Sequence, residues 1–321
     1  MRTLISVKEL PVIVLCIGLF VCFAIWVPNF TDGPGILDDV KQYASYAILA
    51  VGLTLIIGSA GIDISVGSVL GFSTVLFGCV MSKGMGLLPA SIIALVAGGV
   101  WGIINGFFVA RVKLQPIVVT LSSMAAARGL AYVVAGQGIS SIPLPANAAP
   151  LVNLTYGSYA PLLVALGVAI GGWLILARTP LGRYILAVGS NEEAAKFSGI
   201  DVANTKFMIY SVTGFLAGLA GILTAGMMNT AITDAGLGYE FEAITAVLIG
   251  GTSISGGEAT VLGSILGVVA VSMLNRGLGL MGINDLELWR MLCLGVILIA
   301  SVLLDQLRKR AVRKSAKAQA A

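Results

Sequence analysis

The chain has 321 residues, of which 58% are hydrophobic and only 11% are charged, and its mean hydropathy is +1.00. Soluble domains carry about 25% charged residues, so this composition argues against a soluble enzyme and indicates an integral membrane protein with many spans. Histidine is absent and the four cysteines have no metal-site spacing, which gives no support for a metal centre or a proton relay. The net charge of +4 is no sign of nucleic-acid binding, because it lies mainly in segments between the apolar runs and in the tail.

Apolar segments follow one another along the chain and predict an all-α polytopic protein with about ten membrane-spanning helices. The first segment follows Arg2 and Lys8, and we interpret it as an uncleaved span because it is long and no A-x-A-like site follows it. The predicted spans lie at about 10–27, 43–57, a third that ends near 81, 87–110, 116–135, 160–177, 207–228, 241–248, 261–280 and 288–304.

The distribution of cations predicts the orientation of these spans. If both termini are cytoplasmic, the predicted inner segments hold fourteen of the 19 Lys and Arg residues. The outer loops hold only Lys41 and Lys83, and three arginines (Arg128, Arg276 and Arg290) fall within or at the ends of spans. Cytoplasmic loops of membrane proteins carry such an excess of Lys and Arg. We therefore predict that both termini are cytoplasmic.

A polar loop at 178–206 separates the sixth and seventh predicted spans. Asn191 can cap a short helix there, with Glu192 and Glu193 in its first turn, where carboxylates favour the positive end of the helix dipole. Gly199 can end this helix. Two interpretations are open at this point: a loop helix that lies on the bilayer, or a docking helix for a cytoplasmic partner.

Two glycine-rich interruptions of the apolar pattern resemble each other. IIGSAGIDISVGSVLG (56–71) and LIGGTSISGGEATVLG (248–263) share Gly, Ile and a closing Val-Leu-Gly at the same offsets. Matching broken segments are a feature of transporter folds, in which unwound backbone lines a cavity. An internal duplication would explain the match, and so would chance or a shared requirement for close helix packing.

Several polar residues inside apolar surroundings are candidates for a translocation path. Asp63 either lines the path or, with Ser65, caps the third span, and Arg128 in the fifth span either contacts a solute or makes a structural pair. Near the outer face, Tyr239, Glu240 and Glu242 begin the eighth span and could meet a periplasmic partner or be solvated. Uncharged groups that could line a path for a neutral polar solute are Ser68, Ser73, Asn105, Thr120, Ser122, Ser123, Thr245 and Asn275.

No P-loop motif occurs in the chain, so energy for active transport would have to come from another subunit. Three stretches carry a family resemblance: GIDISVGS (61–68), TPLGRYILAVGSNEEAAKFSGI (179–200) and GYEFEAITAVLIGGTSISGGEATVLGSILG (238–267). Together they resemble the membrane permease subunits of bacterial ABC importers of the ribose/xylose/galactose type, a group that includes autoinducer permeases. The family's usual Gly-Gly-Asn-Glu-x-Ala reads Gly-Ser-Asn-Glu-Glu-Ala at 189–194.

The resemblance implies a non-catalytic permease subunit of an ATP-driven importer in the bacterial inner membrane, forming the path for a monosaccharide or related polyol. It implies a single permease domain over 1–306 and a basic cytoplasmic tail over 307–321. A second permease copy or a homologue, and a periplasmic sugar-binding protein, are the expected partners. Cytoplasmic ATPase subunits would hold ATP and Mg, so this chain would bind no cofactor. The ATPases would dock on Asn191, Glu192, Glu193, Ala194, Ala195, Lys196, Ser198 and Gly199.

Two other functions were weighed against this one. A stand-alone secondary transporter or facilitator for a small neutral polar solute predicts ionisable groups inside the membrane and needs no docking loop. A non-transporting scaffold has no support beyond the number of spans. The sequence indicates neither which sugar is carried nor whether the permease pairs with itself or with a homologue.

Overall fold

A computed structural model of the chain describes residues 9–320 and shows an almost entirely helical protein. Within this range the α-helices are α1 Leu10–Trp26, α2 Gly33–Gln42, α3 Ala44–Gly58, α4 Val66–Ser82, α5 Leu87–Gly106, α6 Pro116–Ala135, α7 Ala149–Tyr156, α8 Ala160–Arg178, α9 Pro180–Ser190, α10 Glu192–Phe197, α11 Val202–Met228, α12 Tyr239–Ile249, α13 Val261–Leu280 and α14 Leu286–Ala320. A π-helical turn, Phe107–Arg111, continues α5. Two short antiparallel strands, β1 Ser141–Pro143 and β2 Thr230–Ile232, pair with each other.

The all-α membrane class predicted from the sequence is confirmed. By length and composition, six helical segments in the described part of the chain can cross a membrane: Leu87–Arg111, Pro116–Ala135, Ala160–Arg178, Val202–Met228, Val261–Leu280 and Leu288–Leu307. The pair α2 and α3, bent by 44°, makes a seventh if it is one span, and α1 and α4 are shorter apolar helices. The total of about ten spans and the cytoplasmic position of both termini stay predictions.

The centre of the bundle is α3, which is buried along its whole length. Because protein surrounds it, its hydroxyl groups find partners inside the bundle, as buried polar groups in a membrane must. Ser45 Oγ lies 3.0 Å from Thr224 Oγ1 of α11. Thr54 Oγ1 donates to the Ala50 carbonyl and lies 2.7 Å from Ser264 Oγ of α13. The core is therefore built around one helix that meets no lipid.

Glycines set a close helix crossing between α5 and α11. Gly98 and Gly102 of α5 face Gly214 and Gly218 of α11 so closely that a Cβ atom on Gly214 would lie 2.6 Å from the Gly102 Cα atom. Small residues let membrane helices approach in this way, and the packing contact then stabilises the pair. The chain has 41 glycines, and at this crossing four of them allow the two helices to pack closely.

The bundle has two ends, which we call the sheet end and the α10 end. At the sheet end, α6 and α11 stop, β1 and β2 pair, and α12 begins. At the α10 end, α3 and α12 stop and α9 leads into α10. Two segments expected to be loops contain helices: 136–159 holds β1 and α7, and 178–206 begins with α9.

Candidate functional site: an exposed helix, two helix breaks and a polar cavity

The start of α10 is fixed by the cap that the sequence predicts. Asn191 has extended backbone geometry, and its Oδ1 atom accepts a 2.9 Å hydrogen bond from the Ala194 N–H. Glu192 and Glu193 occupy the first turn, where they meet the positive end of the helix dipole. Glu192 Oε2 also pairs with Lys206 Nζ of α11 at 2.6 Å. The helix is thus capped and tied to the next long helix.

The end of α10 is a Schellman motif. The Gly199 N–H donates to the Lys196 carbonyl at 3.0 Å, and the Ile200 N–H donates to the Ala195 carbonyl at 3.1 Å. Gly199 adopts φ +82°, the left-handed conformation that this motif needs. The predicted short helix between Asn191 and Gly199 is therefore confirmed. Ala195 is buried beneath it, whereas Phe197 is 91% exposed.

The chain just before α10 lies against both glycine-rich interruptions. We call residues 59–65 the first break and residues 250–260 the second break; they separate α3 from α4 and α12 from α13. The Gly257 N–H donates to the Gly58 carbonyl at 3.0 Å, so the second break meets the end of α3 directly. A Cβ atom on Gly189 of α9 would overlap Gly58 O and lie 2.5 Å from Gly257 N. The end of α9 therefore lies against Gly58 at the end of α3 and against Gly257 in the second break, two residues before α10 begins.

The first break is held by buried polar side chains. Asp63 Oδ1 accepts hydrogen bonds from the Ser65 N–H at 2.8 Å and the Ser65 hydroxyl at 2.6 Å. Asn105 Nδ2 of α5 donates to Ser65 Oγ at 2.9 Å, and the Tyr210 hydroxyl of α11 donates to the Ile62 carbonyl at 2.9 Å. The structure thus brings together three of the predicted path residues. Their contacts favour the capping interpretation of Asp63, which holds the start of α4.

The other path candidates lie apart from this cluster along the helices. Ser68 is buried in α4. The hydroxyl of Thr120 donates to the Pro116 carbonyl and that of Ser122 to the Val118 carbonyl, each within its own helix. Ser122 is exposed on the surface of the chain. A path role for these residues stays a prediction.

Arg128 closes the turn before α12 at the sheet end. Its Nη1 donates to the Thr233 carbonyl at 2.7 Å and to the Ala235 carbonyl at 2.8 Å. These bonds are the structural pair with backbone carbonyls that the sequence leaves open as one alternative. They join α6 to the segment that follows β2.

Side chains of the second break form hydrogen bonds with Glu9, which precedes α1, and with Asp305 of α14. Thr260 caps α13 by accepting from the Gly263 N–H at 3.2 Å, and its hydroxyl donates to Glu9 Oε1 at 2.7 Å. The Ser253 hydroxyl donates to Asp305 Oδ2 of α14 at 2.8 Å. The residues before α1 and the far part of α14 are therefore linked to this break.

A cavity of about 860 Å³ opens at the sheet end between the starts of α3, α12 and α14 and the end of α13. Three tyrosines form one wall, which we call the tyrosine wall. Tyr43 and Tyr46 stack with ring centroids 4.7 Å apart, and Tyr46 and Tyr239 stack at 4.0 Å. All three rings line the cavity.

Polar residues of the cavity lie next to the tyrosine wall, where Asn275 donates to the Tyr43 hydroxyl and Arg290 to the Tyr46 hydroxyl. Glu242 forms an ion pair with Arg290, and its Oε2 atom accepts from Asn275 Nδ2 at 3.3 Å. Arg276 Nη1 pairs with Asp39 Oδ2 at 2.6 Å. Both of these carboxylates thus meet a guanidinium, so Glu242 and Asp39 present hydrogen-bonding groups with little net charge.

Comparison with known proteins identifies the family of this chain. The family described as "Branched-chain amino acid transport system / permease component" matches residues 36–302. The chain belongs to this family. The permease is 34% identical to the ribose import permease protein RbsC of Escherichia coli K12, over 87% of each chain. It is 35% identical to the fructose import permease protein FrcC of Rhizobium meliloti, over 94% of this chain and 86% of that one. It is 30% identical to the autoinducer 2 import system permease protein LsrD of Salmonella paratyphi A, over 86% and 85%. No solved structure matches the chain. The resemblance drawn from the three motifs is confirmed.

Within the permease, the predicted outer-face residues lie at the cavity. Tyr239 and Glu242 belong to its walls. Glu240 also lines it, but its Oε2 atom is turned toward α4, where a Cβ atom on Gly67 would overlap it. Glu240 is 3% and Glu242 5% exposed. The interpretation of these two carboxylates as solvated groups is therefore wrong, because the starts of α3, α4 and α14 cover them.

Two members of the tyrosine wall are absent from the residues that the sequence singles out. Tyr43 and Tyr46 stand three positions apart at the start of a span, a spacing that places both on one face of a helix. That spacing is the signal that could have found them. The sequence places Arg290 at the end of a span, and its pairing with Glu242 depends on how α12 and α14 meet.

Proposed function

We propose that this permease is the transmembrane subunit of an ATP-driven ABC importer that carries a monosaccharide, a ribose-like pentose or a related sugar or polyol, across the bacterial inner membrane. The names of the relatives support an import permease for a sugar or a sugar-like solute. The family description names branched-chain amino acids, so an amino acid is the competing solute class. In a facilitator that works alone, α10 would have no partner to bind.

The observation that carries the proposal is the exposed helix α10. A large apolar side chain, Phe197, projects from a helix of only six residues that also carries Glu192, Glu193 and Lys196. Apolar side chains inside a polar rim mark protein interfaces, where such anchors supply much of the binding energy. We assign α10 with its flanking Asn191, Ser198 and Gly199 to the docking of a cytoplasmic ATPase. ATP and Mg would be held by that subunit, and the permease would do no covalent chemistry.

The contacts behind α10 suggest how docking drives transport. Closure of the ATPase dimer on ATP would move α10, and the movement would reach Gly58 and Gly257 through Gly189. Those residues lie at the breaks that end α3 and α12, whose opposite ends line the cavity. The two permease copies, or a permease and a homologue, would then change the side to which their common path opens. A periplasmic binding protein would deliver the solute at the sheet end.

Replacement of one side chain tests the docking role. We expect Phe197→Asp to abolish co-purification of the ATPase with the permease, because the substitution places a charge at the centre of the interface. Tyr156→Asp is the matched control, since Tyr156 is 75% exposed in α7, on a helix remote from α10. The control should insert into the membrane and retain the ATPase as the unaltered protein does.

The same preparation tests transport. With the ATPase and the loaded binding protein present, ATP hydrolysis by the unaltered importer should rise on addition of one monosaccharide, and the Phe197→Asp variant should lose this rise by about tenfold or more. Normal ATPase retention and normal stimulation in the variant would refute α10 as the docking element. Stimulation by L-leucine instead of any sugar would refute the proposed solute class.

A further inference from the structure

The cavity at the sheet end combines an apolar aromatic surface with converging polar groups. The tyrosine wall offers the surface of three stacked rings, and Glu242, Asn275 and Arg290 line the cavity beside it. Small-molecule sites are typically lined by apolar and aromatic groups with a few placed polar ones, in cavities of about 300–1,000 Å³. A sugar ring has the matching two-sided chemistry, with C–H bonds on its faces and hydroxyl groups around its rim.

The charge arrangement selects among solutes. Glu242 is paired with Arg290, and Asp39 is paired with Arg276. A paired carboxylate still accepts hydrogen bonds and a paired guanidinium still donates them, so both can bond a hydroxyl group. In these two pairs, no carboxylate and no guanidinium is left unpaired for an ionic ligand. The cavity therefore fits a neutral polyhydroxyl compound better than a zwitterionic amino acid, whose two charges would each need an opposite one.

Two of the residues that line the cavity, Thr245 and Asn275, carry buried polar atoms without a partner among the described residues. Thr245 is completely buried, and its Oγ1 atom has no hydrogen-bond partner among the described residues. Asn275 uses its Nδ2 group on Tyr43 and Glu242, which leaves its Oδ1 atom without a partner in the same part of the chain. A buried polar atom destabilises a protein unless a hydrogen-bond partner satisfies it. Two such atoms on residues of one cavity point to a ligand with both donor and acceptor groups.

We propose that this cavity is a binding site for the ring of a neutral monosaccharide during its passage, with the ring against the tyrosine wall and its hydroxyl groups bonded by Glu242, Thr245 and Asn275. The proposal rests on the proposed function, because it takes the transported solute to be a sugar. It adds that the permease itself contacts and selects the solute, in addition to any selection by a binding protein.

Saturation-transfer difference NMR on the purified full chain in detergent tests this site, because the method detects weak binding directly. The probes are D-ribose, D-fructose, D-galactose and L-leucine. We expect transfer to the ring protons of at least one sugar and none to leucine. Thr245→Val, which keeps the side-chain shape, should lower that transfer by about threefold or more. Ser82→Val is the control, since Ser82 is exposed and outside the cavity, and it should leave the transfer unchanged.

The outcomes separate this proposal from the proposed function. Asn275→Ala is the second variant, used if Thr245→Val does not fold, and it should give the same loss. No transfer to any sugar, equal transfer in the cavity variants and the control, or transfer to leucine alone would overturn the cavity site. If sugar still stimulates ATP hydrolysis in the assembled importer in those cases, the importer function stands and only the cavity site fails.

Discussion

In the first break, polar side chains of the break itself and of two helices, α5 and α11, hold the backbone, whereas in the second break, glycine backbones hold one another. Both breaks begin alike. The Gly61 N–H donates to the Ile56 carbonyl at 3.0 Å as α3 ends, and the Thr252 N–H donates to the Val247 carbonyl at 3.2 Å as α12 ends. Each is the outer bond of a Schellman motif. After that shared start, the two breaks are constructed differently although their sequences resemble each other.

The difference shows that a similar glycine-rich pattern can be stabilised in two ways. The carboxylate of Asp63 organises the first break, which is buried between α5 and α11. The second break depends on close backbone approach, and its side chains bond residues far along the chain at Glu9 and Asp305. The first should therefore fail when one polar group is lost, and the second when one Cβ atom is added.

The largest expected effect is at the second break. A Cβ atom on Gly263 would overlap the Gly250 carbonyl oxygen, and overpacking of this kind costs about 3 kcal/mol where backbone must move. We expect Gly263→Ala to lower the free energy of unfolding by that amount, measured by denaturation in detergent. Gly167→Ala in α8, where no atom lies within 4 Å of the added Cβ, is the control and should gain a little stability. Equal stability of the two variants would show that the glycine contact does not hold the break.

A smaller loss should follow from removal of the Asp63 carboxylate. Asp63→Leu leaves the Ser65 N–H and hydroxyl without their acceptor in a buried site, for an expected loss of about 2 kcal/mol. Asp63→Asn retains an acceptor oxygen and should lose less. Thermal unfolding of both variants checks the order. A variant Asp63→Asn that is as stable as the unaltered protein but transports no sugar would instead assign Asp63 to the path.

The cap at the end of the second break should contribute less again. Thr260→Ala removes the side chain that accepts from the Gly263 N–H, and loss of such a cap destabilises by about 1 kcal/mol. Thr260→Ser keeps the hydroxyl and should restore most of the stability in the same denaturation experiment. Equal losses in the two variants would trace the effect to the methyl group of Thr260, and the cap would not be the cause.

The smallest effect has the opposite sign. Ala60 ends α3 with φ +60°, a left-handed conformation that costs a residue with a Cβ atom about 1 kcal/mol. The equivalent position in the second break is Gly251, with φ +91°. We expect Ala60→Gly to raise the midpoint of thermal unfolding slightly, and Ala50→Gly in the middle of α3 to lower it. A loss in both variants would mean that the alanine side chain packs favourably at the first break.

The sequence is informative where local rules decide the structure. Asn191 and Gly199 mark the ends of α10 through capping chemistry that acts over a few residues, and the apolar runs locate the long helices. The start of α9 had a signal of the same kind, since Thr179 caps it and Pro180 follows, but the polar composition of 178–206 obscured it.

The cavity could not be predicted in this way, because its parts come together only through packing. The ion pair of Glu242 and Arg290 joins α12 to α14, and Tyr43 reaches Asn275 across 232 positions of sequence. Similarly, the hydrogen bond between Gly257 and Gly58 follows from how α3 and α12 end side by side. Such contacts depend on helix order and tilt, which periodicity does not specify.

The bonds from Thr260 to Glu9 and from Ser253 to Asp305 bear on how the protein is handled. Experimenters usually treat the ends of a chain as places where purification tags and deletions are harmless. Here a deletion that includes Glu9, or one that cuts α14 before Asp305, removes a hydrogen bond from the second break itself. An epitope tag is better inserted near Gly157, in the exposed turn between α7 and α8. Effects of terminal changes on transport should therefore be attributed first to this break.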